Sequence, residues 1–213
     1  MRKIEDKIYK FKLLRQLPTS VRRETNGMPI INKCEVDVLN DTQFVTFTNS
    51  KYIKEPDKSI VLFFEYDYTI DRVWDNPFKY LPRFSKLKAI TTPDYSIYGE
   101  MDKITILHNT YRNRWVGCWY QQQGLKVIPT ISWAYEDTYD ICFSGIEKGS
   151  IVCISTIGCM KKHDVFLKGY NEMLKRIEPS LIIIKGRKIP NLKGNILWVP
   201  FDATFNHKKK GEK

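Results

Sequence analysis

Residues 59–64 read Ser-Ile-Val-Leu-Phe-Phe, with no polar position after the first. A strand with one wet face alternates apolar and polar residues. A run that is apolar at every position is covered on both faces, as strands of a parallel sheet are. Parallel neighbours cannot be joined by a tight turn; they need a crossover, usually a helix. The run therefore demands strands alternating with helices, and the chain supplies them. Further strands are expected at 87–92, 126–131, 150–155, 181–184 and 195–199. Between them lie short helical segments at 78–86 and 138–145. A long helix is capped by Asp102 and stopped by Gly124, with an apolar stripe of Ile104, Leu107, Tyr111, Trp115, Cys118 and Trp119. An amphipathic helix begins at Asp164 and closes at Pro179. The expected fold is α/β, a mainly parallel sheet of about six strands with crossover helices. Both a doubly wound sheet and an incomplete barrel-like sheet fit, because strand order does not show in a sequence.

Ahead of this regular region, residues 1–58 divide into a basic helix, ended by Pro18, and an irregular lead-in. The helix carries Ile4, Ile8 and Phe11 at helical spacing, which favours docking on the core. The lead-in has too little apolar content for a core of its own. The α/β core is expected over 59–200 and a basic tail over 201–213. The chain has 35 Lys+Arg against 24 Asp+Glu, a net +11 that favours a polyanionic partner. No apolar run is long enough to span a bilayer, and the start lacks a signal-peptide apolar region, so no membrane partner and a cytoplasmic location are expected. Five cysteines (Cys34, Cys118, Cys142, Cys153, Cys159) without a C-x-x-C pattern, and three scattered histidines, read as reduced thiols rather than a metal site.

In parallel α/β folds, ligands bind at the carboxyl ends of the strands, where loops are free of core packing and helix N-termini converge. Here those ends carry Asp67 and Tyr68; Thr91, Thr92 and Asp94; Ser132 and Trp133; Ser155 and Thr156; and Lys185, Gly186 and Arg187. Ser155-Thr156-Ile157-Gly158 is small and hydroxyl-bearing and can cradle a phosphate, but it lacks the lysine and spacing of a P-loop. Asn109 and Arg112 share a face of the long helix, with Arg114 nearby, and can present donors to phosphate or carboxylate. Trp133 can stack a nucleobase and Glu136 can take a hydroxyl or base edge. Asp67, Asp94, Asn109, Arg112, Arg114, Trp133, Glu136, Ser155 and Thr156 are thus the candidate ligand-binding residues. No pattern of metal nuclease carboxylates or of a Ser–His–Asp hydrolase supports either reaction. Catalytic residues and cofactor stay undefined.

Several of these positions fall in longer motifs. Pro93-Asp94-Tyr95-Ser96 with Tyr98 and Met101 is one. Asn109-Thr110-Tyr111-Arg112-Asn113-Arg114, followed by Gly117, Trp119 and Gln122, is another. Val127-Ile128-Pro129, Trp133, Phe143-Ser144-Gly145, Gly149-Ser150 and Ser155-Thr156-x-Gly158-Cys159 continue the series. Over residues 60–186 the chain resembles an uncharacterised family from bacteriophages, plasmids and other mobile elements, known only as a domain of unknown function. The resemblance implies a mobile-element origin and carries no activity or catalytic residue with it. Charge, basic ends and aromatic content (12 Tyr, 11 Phe, 5 Trp) favour a nucleic-acid-binding protein of replication or DNA processing. The alternatives are an enzyme or binder of a nucleotide-like anion, and an inhibitor of a host protein.

Overall fold

In the computed structural model, which describes residues 2–157 and 163–201 (without the side chains of 2–5, 7 and 8), all pairings between the strands are parallel. The elements follow in the order α1 (Arg2–Leu14), β1 (Gln43–Thr46), β2 (Ser59–Leu62), α2 (Asp67–Asp75), α3 (Pro77–Phe84), β3 (Ala89–Thr91) and α4 (Lys103–Gln122). After them come β4 (Val127–Ile128), α5 (Tyr139–Cys142), β5 (Ile151–Ser155), α6 (His163–Ile177), β6 (Leu181–Lys185) and β7 (Ile196–Val199). Strands β1 to β4 are neighbours in that order, and so are β5 to β7. The chain just past β4 joins the two groups. Ile131 N–H donates to the Cys153 carbonyl and Cys153 N–H to the Pro129 carbonyl, both at 2.9 Å. A doubly wound sheet reverses its strand order at a switch point. No reversal occurs here, so the barrel-like alternative is the one realised. It is open: among the described residues no strand pairing joins β7 to β1.

The two faces of the strands bury different cores. Val61, Ile90 and Val127 pack outward under the helices, with Ile70, Val73, Phe84, Trp115 and Val116. Val152, Ile154, Ile182 and Ile184 do the same against Phe166, Tyr170 and Met173 of α6. The alternate positions Ile60, Leu62, Ala89, Ile128, Cys153, Leu181, Ile183 and Val199 form a third cluster that contains no helix residue. That cluster is the interior of the half-barrel. It explains why the strands read as apolar at every position.

One strand beyond the expected six comes from the lead-in. Phe44 and Val45 of β1 lie beside Ile60 and Val61 of β2. Farther upstream Ile31, fully buried, exchanges backbone hydrogen bonds with Gly145 and Glu147. The basic helix docks as expected. Phe11 packs its ring against Phe78, Trp115 and Trp119. Just beyond it, the Arg15 guanidinium lies 3.9 Å over the Trp74 ring.

The expected apolar stripe of α4 holds only in its second half. Ile104 is 76% exposed and Leu107 is exposed too, whereas Asn109, Thr110, Asn113 and Arg114 are buried. The reason lies in what the first half faces. The strand ends and the segments beyond them offer backbone carbonyls of Pro93, Ser96, Thr130, Cys142 and Ser144, and polar side chains of α4 supply the donors.

Candidate functional site

Because all strands run the same way, their C-terminal ends open on one side, as the mouth of the half-barrel. The interior changes character there. Alternation along the strands places Thr91 of β3, Ser155 of β5 and Lys185 of β6 inward, above the apolar layer. Thr91 Oγ1 accepts from Phe63 N–H, and Ser155 Oγ donates to the Lys185 carbonyl at 3.3 Å. Thr156 donates to the Arg187 carbonyl at 3.0 Å, which ties the β5 and β6 loops together. Gly186 (φ 126) makes this close approach possible: a Cβ there would fall 2.3 Å from Thr156 Oγ1.

The carboxylates of the mouth are held by hydroxyls. Asp67, at the start of α2, accepts from Ser96 Oγ (2.8 Å) and Ser96 N–H (3.2 Å), fixing the β3–α4 loop. Asp94 accepts from Ser132 Oγ. Burial pushes the Asp94 carboxyl up to about 7; the Ser132 hydrogen bond opposes this and the nearby Asp67 charge reinforces it. Asp94 can therefore hold or release a proton near neutrality. Beside it lies a cavity of about 10 Å³, room for one water, with the buried hydroxyls of Tyr95 and Thr110 in its wall. Neither hydroxyl has a protein partner among the described residues.

The long-helix candidates are turned inward. Asn109 Nδ2 donates to the Ser96 carbonyl at 2.7 Å. Arg112 donates to Asp71 (2.6 Å) and to Asn109 Oδ1 (2.8 Å), and its guanidinium stacks 3.9 Å over Tyr95. Arg114 is buried and donates to the carbonyls of Ser144, Cys142 and Thr130 and to Asn113 Oδ1. Its pKa is lowered to about 10 by burial, and among the described residues no carboxylate is bonded to it. Trp133 packs between Phe143 and Phe166, its indole nitrogen against Gly169 of α6. Glu136 is exposed and paired with Lys168 at 2.8 Å. Of the nine candidates, then, Asp67, Asp94, Ser155 and Thr156 frame the mouth. Asn109, Arg112, Arg114 and Trp133 brace the structure around it, and Glu136 lies in a surface ion pair. Cys159 and Gly158 fall outside the described residues.

Two features of the mouth lie outside the nine candidates. The first is its rim. Tyr66, Tyr68, Tyr98, Tyr135, Ile157 and Phe201 are all exposed, and each sits on a segment leaving a strand's C-terminal end. Tyr66 and Tyr68 are stacked, with centroids 5.4 Å apart and planes 11° apart. Arg187 and Lys188 stand exposed on the β6–β7 loop of the same rim. The second is Lys185, whose only sequence signal is its position closing an all-apolar strand. It is 2% exposed. Among the described cysteines, burial raises the pKa of Cys34, Cys118, Cys142 and Cys153, so none is poised as a thiolate. No helix among the described residues is long and apolar enough to cross a membrane, and they hold no cluster of three metal-ligating side chains.

Comparison with known proteins finds relatives in bacteriophages. The chain is 40% identical over 128 residues to the Gene 1 protein of Mycobacterium phage D29, covering 59% of this chain and 47% of that protein. Over an equal length it is 39% identical to the Gene 1 protein of Mycobacterium phage L5, covering 56% of that protein. The chain thus spans about half the length of these curated relatives. No solved structure matches it. The resemblance to a mobile-element family is thereby placed on the phage side. With residues 24–201 matching the model of the domain of unknown function DUF4417, the chain belongs to that family.

Proposed function

We propose that this phage-type protein binds single-stranded nucleic acid across the mouth of its half-barrel, in replication or processing of phage DNA or RNA. The observation that carries this reading is the rim: four exposed tyrosines, with Ile157 and Phe201, on segments that leave the strands at one end of the sheet. Exposed aromatic platforms stack bases that a duplex keeps hidden, at about 1–3 kcal/mol per base. The stacked pair Tyr66 and Tyr68, 75% and 74% exposed, is the strongest such platform. Arg187, Lys188 and the net charge of +11 supply attraction for the backbone.

The test is binding of labelled single-stranded DNA and RNA by fluorescence anisotropy across a salt series. Binding is expected to weaken as salt rises. Tyr66→Ala with Tyr68→Ala should weaken it about tenfold or more, at unchanged melting temperature. Absence of binding to both nucleic acids at low ionic strength overturns the proposal.

A further inference from the structure

Among the described residues, the carboxylates lining the mouth have partners inside the protein, and its buried lysine has none. Glu65 accepts from Thr48 N–H and Oγ1, Asp67 from Ser96, and Asp94 from Ser132. Lys185 differs. It closes β6 at an inward position, is 2% exposed, and among the described residues no hydrogen bond or ion pair engages its Nζ. Electrostatically it faces Cys153, a neutral thiol, and Glu65, whose carboxylate is turned to Thr48. The ring of Phe201 lies 5.7 Å from Nζ and is itself exposed, so the ammonium sits about one ring beneath the surface. An ammonium held at the edge of solvent with no protein acceptor keeps little hydration, and delivery of an anion makes good that loss.

We propose that Lys185 anchors a phosphate monoester that enters the mouth beneath the aromatic rim. Depth argues for a monoester over an internal phosphodiester. An internal phosphate would drag nucleotides on both sides into the interior, whereas a terminal phosphate projects beyond its single nucleotide. The base of that nucleotide then lies at the level of the rim tyrosines. The same chemistry is offered by the phosphorylated end of a strand and by a free mononucleotide. This inference rests on the reading of the mouth as a nucleic-acid site and deepens it.

The experiment compares oligothymidylates bearing a 5′-phosphate, a 3′-phosphate or only hydroxyl ends, with dTMP and thymidine as competitors. Wild-type protein is expected to bind one phosphorylated end about tenfold tighter than the hydroxyl form, a difference of about 1.4 kcal/mol. Lys185→Met, and Lys185→Gln as a second variant, should erase that preference and leave binding of the hydroxyl form unchanged. Competition by dTMP but not thymidine assigns the site to free nucleotides as well; competition by neither, with the end preference intact, restricts it to strand ends. Equal wild-type binding of all three oligomers, with no effect of dTMP, overturns the anchor while sparing the nucleic-acid reading. A preference that survives in both variants also overturns it. If no oligomer binds but dTMP raises the melting temperature of wild-type protein and not of the variants, the anchor stands and the nucleic-acid reading falls.

Discussion

Arg114→Met separates a bracing role from a ligand-binding one. The side chain is buried, and Met retains most of its length without its donors. Two backbone carbonyls depend on it directly: Ser144 O at 2.8 Å from Nε and Cys142 O at 2.7 Å from Nη2. The Thr130 carbonyl keeps a second donor, Asn113 Nδ2 at 3.2 Å. A buried acceptor stripped of its partner costs about 1–3 kcal/mol, so two of them give about 2–6. Removing a guanidinium that burial already disfavours returns part of this, and a net loss of about 3–4 kcal/mol remains. With a urea m-value of about 2 kcal/mol/M, the unfolding midpoint falls by roughly 1.5–2 M at unchanged slope. Arg114→Lys keeps the charge but cannot fork to two carbonyls, so it should recover little. Local opening should concentrate at 138–147, because the Gly145 carbonyl and Glu147 N–H also bond Ile31. Amide exchange at Ile31 and Glu147 reads this directly. A midpoint shift below about 0.5 M, accompanied by lost ligand binding, would refute the bracing role.

Three further outcomes follow from the same geometry. Asp94 has its carboxyl raised to about 7 in the folded chain, from an unfolded value near 3.8. The folded state therefore binds more protons between these values, and this group's contribution is favourable below pH 4 and lost as pH rises to 7. Asp94→Asn should match wild type near pH 4 and exceed it at pH 8, by at most about 4 kcal/mol at 1.36 per unit; parallel melting curves across pH would contradict this. Arg112→Ala removes an ion pair to Asp71, a hydrogen bond to Asn109 and the stack on Tyr95, and should cost about 2–3 kcal/mol in urea unfolding; unchanged stability with weakened ligand binding would make it a ligand residue instead. Gly169→Ala would place a Cβ 2.1 Å from the Trp133 indole nitrogen, so about 1–2 kcal/mol should be lost despite better helix propensity; a higher melting temperature would sink that reading.

Legibility in the sequence followed from how local each signal is. Apolar runs at 59–64 and 181–184 announced doubly covered strands, and Asp102, Gly124 and Pro179 marked helix ends within a residue or two. Strand β1 was harder: its four residues lie in a stretch rich in turn formers, and only its pairing with β2 makes it a strand. Strand order, which separates a doubly wound sheet from a half-barrel, depends on contacts such as Cys153 with Pro129 and Ile131 that no periodicity encodes. The α4 face misled for a related reason. Periodicity scores Ile104 and Leu107 as inward because it knows only that water is polar. It cannot know that the strand ends opposite present the carbonyls of Pro93 and Thr130, for which Asn113 and Arg114 are the better partners.

That same substitution of protein for water governs which candidates remain at the mouth. Asn, Arg and Trp near strand ends look like ligand groups because their donors and rings are versatile. A half-barrel, however, must also close its own strand ends, and it does so with the versatile groups nearest to hand. Asn109, Arg112 and Arg114 are consumed in holding the loops and helices beyond those ends, each with a protein acceptor within 2.8 Å. What is left over for an anion is the inward charge that the fold does not pair. Lys185 has no protein acceptor among the described residues, and solvent scarcely reaches it. A lysine closing an apolar strand looks in sequence like an ordinary polar stop. Only the inward register that it shares with Leu181 and Ile183 turns it into a charge awaiting an anion.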